Sequence, residues 1–201
     1  MKSIGIMGGT FNPIHIGHLI AAEEVSDKMN LDKVIFIPAG NPPHKEGKFI
    51  AEAKQRLEMV KLATKENPKF SVSDIEINRD GKTFTYDTLV ELHNIYYETK
   101  IYFIIGYDTL KEIDTWKRIN EVCKLCSFIV VNRNNANSEM NYEIEKKSDK
   151  YKCNIHVVDI PNIEVSSTDI RDRIALKRSI KYIVTESVSD YICDRGLYRS
   201  I

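Results

Sequence analysis

Residues able to do chemistry are concentrated in one short stretch near the amino terminus. Gly8 and Gly9 come first, and His15 and His18 follow with a spacing of three residues. A glycine pair after a strand lets backbone N–H groups approach a ligand with no Cβ in the way. Two imidazoles at this spacing lie on one face of a helix, and the amino terminus of a helix attracts anions. The stretch therefore favours binding of a polyphosphate.

Other uses of these residues are weaker interpretations. Histidines at i and i+3 also occur as metal ligands, but no third ligand at a fixed spacing follows them. The dinucleotide fingerprint G-x-G-x-x-G is absent, and Gly81-Lys82-Thr83 fails as a P-loop because Glu76 stands where its first glycine belongs. We predict a phosphate site with no metal held by protein ligands.

The pair Cys123 and Cys126 has the spacing of redox and zinc motifs. Cys153 and Cys193 stand alone, so no second pair completes a zinc site. The pair also closes a helical pattern and precedes a predicted strand, whereas a thioredoxin-like motif opens a helix after a strand. We interpret the cysteines as buried or inert thiols.

The elements that must position these residues alternate along the chain. Apolar runs rich in β-branched residues predict strands at 3–7, 33–38, 70–77, 100–105, 127–132 and 154–160. Apolar residues with helical spacing predict helices at 16–30, 51–65 and 85–98, and two more at 168–178 and 186–195. Short apolar strands separated by helices indicate a parallel sheet covered on both faces. We predict an α/β fold with a doubly wound, Rossmann-like sheet and a small C-terminal helical extension.

Composition limits the classes of function. The 201 residues carry 29 Lys and Arg against 29 Asp and Glu, so no basic excess favours nucleic acid as a partner. The apolar runs are far shorter than the roughly 20 residues that cross a bilayer, and the amino terminus does not have a signal-peptide pattern. We expect a cytoplasmic protein that binds no membrane. We also expect one domain over 1–201, with 161–201 packed on it as a phosphate-binding and helical segment.

Five motifs in order along the chain carry a resemblance to a known family. They are Gly8-Gly-Thr-Phe-Asn-Pro with His15-Ile-Gly-His18; Pro42-Pro-His-Lys45; the Gly-Lys-Thr-Phe-Thr-Tyr-Asp-Thr-Leu run that ends at Leu89; Ile105-Gly-Tyr-Asp108 with Trp116; and Ser166-Ser-Thr-Asp-Ile-Arg171. The chain resembles the H-x-G-H nucleotidyltransferase superfamily and, within it, the bacterial nicotinate-nucleotide adenylyltransferases. Asn134-Asn135 departs from that pattern, since the family usually has Pro-Gly there.

The resemblance implies a reaction between two small molecules, ATP and nicotinate mononucleotide. The phosphate of the mononucleotide would attack the α-phosphorus of ATP in line, and pyrophosphate would leave. Such a transfer needs no side-chain nucleophile, because positioning and stabilisation of phosphate charge supply the catalysis. The resemblance further implies Mg²⁺ bound through the ATP phosphates and, as a family-level expectation, a homodimer.

The resemblance also assigns roles to individual residues. It implies a catalytic set of His15, His18, Lys45 and Arg171. The implied ATP-binding set adds Gly8, Gly9, Thr10, Phe11, Gly106, Asp108, Ser167 and Thr168 to His15, His18 and Arg171. The implied mononucleotide-binding set is Asn12, Lys45, Thr85, Trp116 and Arg133.

Structural interpretations of some of these residues stay open at this point. Ser167 and Thr168 could cap a helix, as could Thr85 or Asp108, and Trp116 could be a core residue.

Two other functions are compatible with the same amino-terminal motif. Pantetheine-phosphate adenylyltransferase would use the same H-x-G-H element, but the longer chain, the Pro42–Lys45 motif and Trp116 favour the nicotinate enzyme. A nucleotide-binding regulator without turnover is the alternative outside enzymology, although His18 and Arg171 are both present. Class I aminoacyl-tRNA synthetases share the His15-Ile-Gly-His18 motif. A chain of 201 residues with a formal net charge of zero, however, leaves no room for a tRNA-binding domain.

Overall fold

The computed structural model describes residues 1–41, 50–133 and 138–199. Within them the strands are β1 Ser3–Gly9, β2 Lys33–Pro38, β3 Phe70–Val72, β4 Lys100–Gly106, β5 Ser127–Asn132 and β6 Ile155–Asp159. The helices are α1 Ile16–Lys28, α2 Ala53–Thr64, α3 Thr85–Ile95, α4 Tyr107–Glu112, α5 Ile119–Leu125, α6 Ser138–Tyr151, α7 Ser167–Ala175 and α8 Glu186–Asp194. A 3₁₀ turn at Ile113–Thr115 follows α4.

These strands form one parallel sheet in the order β3-β2-β1-β4-β5-β6. Successive residues of β2 enter different cores: Phe36 packs into one cluster, while Ile35 and Ile37 pack into the other. Two buried cores, one on each face, explain why the inner strands are almost continuously apolar. The predicted doubly wound, Rossmann-like fold is confirmed. Because the strand order reverses between β1 and β4, a crevice is expected beyond their carboxyl ends.

The predicted strand at 70–77 is too long. Only Phe70–Val72 pairs with β2, and the chain then turns, with the N–H groups of Ile77 and Asn78 both donating to the Asp74 carbonyl. Ser73 and Asp74 are residues that favour turns over strands. This turn brings Glu76 next to Gly40, where an ideal Cβ would overlap the Glu76 carbonyl oxygen. Only glycine therefore fits at position 40.

The C-terminal segment packs on the loop that follows β1. Ser167 Oγ donates to the Pro13 carbonyl at 2.8 Å, and the buried Tyr198 hydroxyl donates to Asn12 Oδ1 at 2.9 Å. The two regions that the sequence singled out for phosphate binding are therefore neighbours. In the described ranges, no helix is both long enough and apolar enough to span a bilayer.

Candidate active site

A cleft of about 580 Å³ lies beyond the carboxyl ends of β1 and β4, where the strand order reverses. Its walls come from the end of β1, the start of α1, the approach to α3, and the segment after β4 that ends at Trp116. A larger cavity of about 890 Å³ lies between α7 and α8, but none of the predicted site residues that the structure describes lines it. The first cleft is therefore the candidate site, because most of the described residues that the sequence singled out line it.

The structure brings many, but not all, of the predicted residues to this cleft. Nine line it: Gly8, Gly9, Thr10, His18, Thr85, Gly106, Asp108, Trp116 and Arg133. Six lie outside its lining: Phe11, Asn12, His15, Ser167, Thr168 and Arg171. Lys45, Asn134 and Asn135 fall outside the described residues.

The two histidines lie together at the start of α1, as their spacing predicts. Their ring centroids are 3.7 Å apart, and the His15 backbone N–H donates to His18 Nδ1 at 3.2 Å. The edge-to-face contact of Phe11 with His18 fixes the second ring further. Because Nδ1 accepts a hydrogen bond, a neutral His18 carries its proton on Nε2. His18 thus has a ring N–H at the cleft, which suits a phosphate oxygen.

His15 is held behind this ring rather than on the cleft surface. Its side chain is only 5% exposed, and Nδ1 has no hydrogen-bond partner in the ranges that the structure describes. Burial, together with a smaller contribution from the charge of Arg133, lowers the pKa of His15 to about 4. At neutral pH the ring is therefore uncharged. A buried ring nitrogen without a partner is uncommon in proteins.

The pKa of His15 predicts how stability depends on pH. At pH values between the folded pKa of about 4 and the ordinary pKa of 6.5, the unfolded chain binds more protons than the folded chain. The free energy of unfolding should therefore fall as the pH is lowered through this window. Between pH 7 and pH 5 we expect the wild type to lose on the order of 1–2 kcal/mol more than His15→Gln. Urea titrations at both pH values measure this; equal losses would contradict a buried, neutral His15.

Arg171 joins the C-terminal segment to the first loop. Its guanidinium donates to the Asn12 carbonyl at 2.9 Å and to Thr168 Oγ1 at 3.2 Å. A guanidinium has five N–H donors, so these two bonds leave capacity for an anion.

The cap of α7 is Ser166, whose Oγ accepts from the Asp169 N–H at 3.1 Å. The interpretation of Ser167 and Thr168 as that cap is therefore wrong, because the helix already begins at Ser167, one residue earlier than a cap at Ser167 would allow.

Trp116 both packs on the core and lines the cleft. Its half-buried ring packs edge-to-face on Phe103 and Phe128, with centroids 5.7 and 6.1 Å away, and the same residue lines the cleft. The core therefore supports the indole while leaving part of it exposed for stacking.

The capping interpretations of Thr85 and Asp108 are wrong. The residue before α3 is Phe84, and Gly106 holds the cap position of α4. Thr85 and the exposed Asp108 instead lie in the first turns of these helices and line the cleft.

Asn12 has a structural position that the resemblance does not imply. Its side-chain oxygen accepts hydrogen bonds from the Ala51 N–H at 3.0 Å and from the Tyr198 hydroxyl at 2.9 Å. The residue is buried and ties the first loop to the start of α2 and to the C-terminal segment. This oxygen therefore acts within the protein, in contrast to the mononucleotide contact implied for Asn12.

Sequence reasoning missed Arg56. This arginine is 1% exposed, and it donates to the carbonyls of Thr10, Gly40 and Ala51 at 2.8–3.1 Å. It therefore fixes the end of β1 and the loop after it (residues 8–13, the glycine loop) against the segments that contain Gly40 and Ala51.

Glu76 was also missed. It lines the cleft and accepts a hydrogen bond from Thr88 Oγ1 at 2.8 Å, while burial raises the pKa of its carboxyl. Arg56 was missed because an arginine on a helix is usually a surface residue. Glu76 was missed because it lies inside the segment 70–77, which was predicted to be a strand. Neither residue had a sequence signal.

The cysteines form no disulfide. Cys123, Cys126 and Cys153 are buried free thiols, as expected, whereas Cys193 is free and exposed. Burial raises the pKa of Cys126, so this thiol stays protonated at neutral pH. Across residues 1–41, 50–133 and 138–199, no group of three or more His, Cys, Asp or Glu side chains could hold a metal ion.

Comparisons with known proteins show the family of the chain. A family model described as cytidylyltransferase-like matches residues 6–173. The chain is 46% identical over 199 residues to a probable nicotinate-nucleotide adenylyltransferase of Desulfitobacterium hafniense (strain Y51), covering 98% of this chain and 96% of that one. It is 48% identical over 198 residues to a protein of the same name from Thermoanaerobacter sp. (strain X514), with coverages of 98% and 94%.

Solved structures show the same fold. Plasmodium falciparum nicotinic acid mononucleotide adenylyltransferase complexed with NaAD has a TM-score of 0.79 at 20% identity, with 98% of each chain covered. A putative nicotinate-nucleotide adenylyltransferase from Vibrio parahaemolyticus has a TM-score of 0.69 at 23% identity, covering 100% of this chain and 98% of that one.

Proposed function

Because the chain belongs to the cytidylyltransferase-like family, among the nicotinate-nucleotide adenylyltransferases, we propose that it transfers the adenylyl group of ATP directly to nicotinate mononucleotide. The chain is thus a nucleotidyltransferase, and the proposed products are nicotinate adenine dinucleotide and pyrophosphate. The observation that carries the proposal is one cleft that combines His18, the glycine loop and Trp116. This combination provides phosphate donors at one place and an aromatic ring at another, as two nucleotides require.

The proposed reaction is a single in-line displacement. A phosphate oxygen of the mononucleotide forms a bond to the α-phosphorus of ATP, and the bond from that phosphorus to the bridging oxygen breaks. Pyrophosphate leaves with the electron pair, so no covalent intermediate with the protein forms. The chain contributes by holding both substrates in line and by stabilising charge on the phosphate oxygens.

His18 is the residue that we place nearest the transferred group. Its Nε2–H at the cleft donates to a phosphate oxygen, while the His15 N–H and the Phe11 ring fix its orientation. The backbone at Gly9 and Thr10 approaches the same phosphates. In this proposal Arg171 binds the β- and γ-phosphates with its remaining N–H groups, and Lys45 binds phosphate near the reacting groups.

Mg²⁺ enters this proposal together with ATP. Where the phosphates would lie, the lining offers imidazole and backbone N–H groups, which suit phosphate better than they suit a hard cation. Mg²⁺ usually binds through substrate phosphates and keeps several waters. The ion would neutralise phosphate charge there, and the proposal assigns it no protein ligand.

Trp116 is proposed to stack on the nicotinate ring, and Asp108 to accept a hydrogen bond from a ribose hydroxyl. Thr85 and the exposed Arg133 are proposed to bind the carboxylate or phosphate of the mononucleotide. Lys117, which follows Trp116 in the chain, also lines the cleft and adds a second positive charge to it. Two cations favour an acidic ring substituent over a neutral amide.

Pyrophosphate release tests the proposed function. The purified chain is incubated with ATP, Mg²⁺ and one acceptor: nicotinate mononucleotide, nicotinamide mononucleotide or phosphopantetheine. We expect the fastest release with nicotinate mononucleotide. Release only with phosphopantetheine would assign the chain to the other adenylyltransferase, and ATP binding without turnover on any acceptor would favour the regulator.

Replacing Trp116 should weaken binding of the mononucleotide more than binding of ATP. The Trp116→Ala variant loses a stacking surface, and we expect the KM for nicotinate mononucleotide to rise about tenfold or more. The KM for ATP should change by less than about threefold, since adenine does not stack on this ring in the proposal. Trp116→Phe keeps an aromatic face and should lose less. Equal increases in both KM values would place the tryptophan away from the mononucleotide.

A further inference from the structure

Helix α6 contains a buried lysine that the proposed chemistry does not use. Lys147 has a side chain only 4% exposed, and its ammonium group contacts Asp114 Oδ2 at 2.9 Å. Burying an ammonium is costly, and a partner recovers that cost only when the geometry is good. An apolar residue would fill the same space, so the cation at this position needs an explanation beyond packing.

Three side chains of α6 contact the carboxylate of Asp114. Its Oδ1 accepts from the Tyr151 hydroxyl at 2.6 Å, and Lys150 approaches Oδ2 at 3.4 Å in addition to Lys147. The hydrogen bond from Tyr151 and then the one from Lys147 lower the pKa of Asp114 to about 2, so its carboxylate stays charged at neutral pH. Both carboxylate oxygens are thus bonded to donors from one helix.

Asp114 lies in the 3₁₀ turn directly before Trp116. The Trp116 N–H donates to the Ile113 carbonyl at 3.0 Å, so the turn and the indole are joined through the backbone. The rings of Trp116 and Tyr151 both pack against the same core cluster, which includes Phe128. A shift of Asp114 would therefore move the Trp116 ring relative to the core rings on which it packs.

We propose that Lys147 and Tyr151 are positioning residues that act through Asp114 to hold Trp116 in place at the cleft. Neither residue lines the cleft, so neither is catalytic. The ion pair between Lys147 and Asp114 fixes the 3₁₀ turn, whereas an apolar side chain at position 147 would leave the turn free to shift. The consequence for substrate affinity rests on the proposed function, because it requires Trp116 to contact the mononucleotide.

Trp116 is the only tryptophan in the chain, so its fluorescence reports this contact directly. In Lys147→Met we expect a red-shifted emission and stronger quenching by acrylamide than in the wild type. Tyr151→Phe removes one O–H group and keeps the ring, so this variant keeps the test decisive if Lys147→Met does not fold. Lys146→Met is the matched control, because Lys146 is an exposed lysine of the same helix that pairs with Glu143 and not with Asp114.

Kinetics supply the second readout. The KM for nicotinate mononucleotide should rise about threefold to tenfold in Lys147→Met, while kcat and the KM for ATP stay within about twofold. Because the residues act through one carboxylate, Lys147→Met should add little further loss in an Asp114→Asn background. A loss of stability alone would not separate the two KM values.

The outcomes distinguish this proposal from the proposed function. Unchanged Trp116 emission in folded Lys147→Met and Tyr151→Phe would overturn the positioning role. A shifted emission with an unchanged KM for the mononucleotide would confirm that role and contradict the stacking assigned to Trp116. If the wild type does not use nicotinate mononucleotide, the proposed function fails, and the fluorescence comparison still decides whether Lys147 and Tyr151 position the indole.

Discussion

His18→Ala is expected to reduce turnover by about a hundredfold to a thousandfold, the usual effect of removing one donor to transition-state charge. The imidazole lines the cleft, and its Nδ1 already accepts from the His15 N–H, so Nε2–H is the group lost to the phosphate. Pyrophosphate release at saturating ATP and nicotinate mononucleotide measures the effect. Melting curves should show a chain that still folds cooperatively, since the residue lies at the cleft surface.

Two further variants make the result for His18 specific. His18→Asn keeps an acceptor near the position of Nδ1 and should preserve the start of α1, yet it should lose most of the turnover. His156→Ala removes a half-buried histidine from β6, which does not line the cleft, and should leave the rate unchanged. A His18→Ala protein with a near-normal rate would remove this histidine from the mechanism.

Arg56→Met should cause a large loss of stability, about 3–5 kcal/mol in the free energy of unfolding. The substitution leaves the buried carbonyl of Ala51 and the partly buried carbonyls of Thr10 and Gly40 without this donor. Each orphaned buried acceptor costs about 1–3 kcal/mol. Urea titration followed by far-UV circular dichroism measures the loss.

The exposed Lys61 on the same helix provides the matched control, and Lys61→Met should change stability by less than about 0.5 kcal/mol. Arg56→Lys keeps a cation but not the planar fork, so its loss should be intermediate. A loss below about 1 kcal/mol in Arg56→Met would show that water or a shifted loop satisfies these carbonyls.

Much of the fold could be predicted because its signals are local. The apolar runs of β1, β2, β4 and β5 lie in a sheet buried on both faces, so their hydrophobicity is almost continuous. The histidine pair was predicted for the same reason, since its geometry depends only on helical spacing. The prediction at 70–77 was too long because the chain turns at Ser73 and Asp74, while Ile75 and Ile77 beyond the turn extend the apolar pattern.

The site was harder to predict where contacts join distant parts of the chain. Asn12 is held by Ala51 and Tyr198, and Arg171 bonds to a backbone carbonyl of the first loop. Hydrogen bonds of this kind depend on the final packing, and a single sequence does not encode their partners in any regular spacing. The motifs therefore indicated which residues gather at the cleft, but not which of them support it from behind.

The bond between Tyr198 and Asn12 also bears on the order of events during biosynthesis. The two residues are separated by 186 positions, so a ribosome must have translated nearly the whole of the described chain before the contact can form. Domains emerge amino terminus first, and the strands of the sheet become available for pairing earlier. The glycine loop is therefore translated long before Tyr198, the residue that supports it from the C-terminal segment. A nascent chain can thus have most of its sheet before its nucleotide pocket is complete.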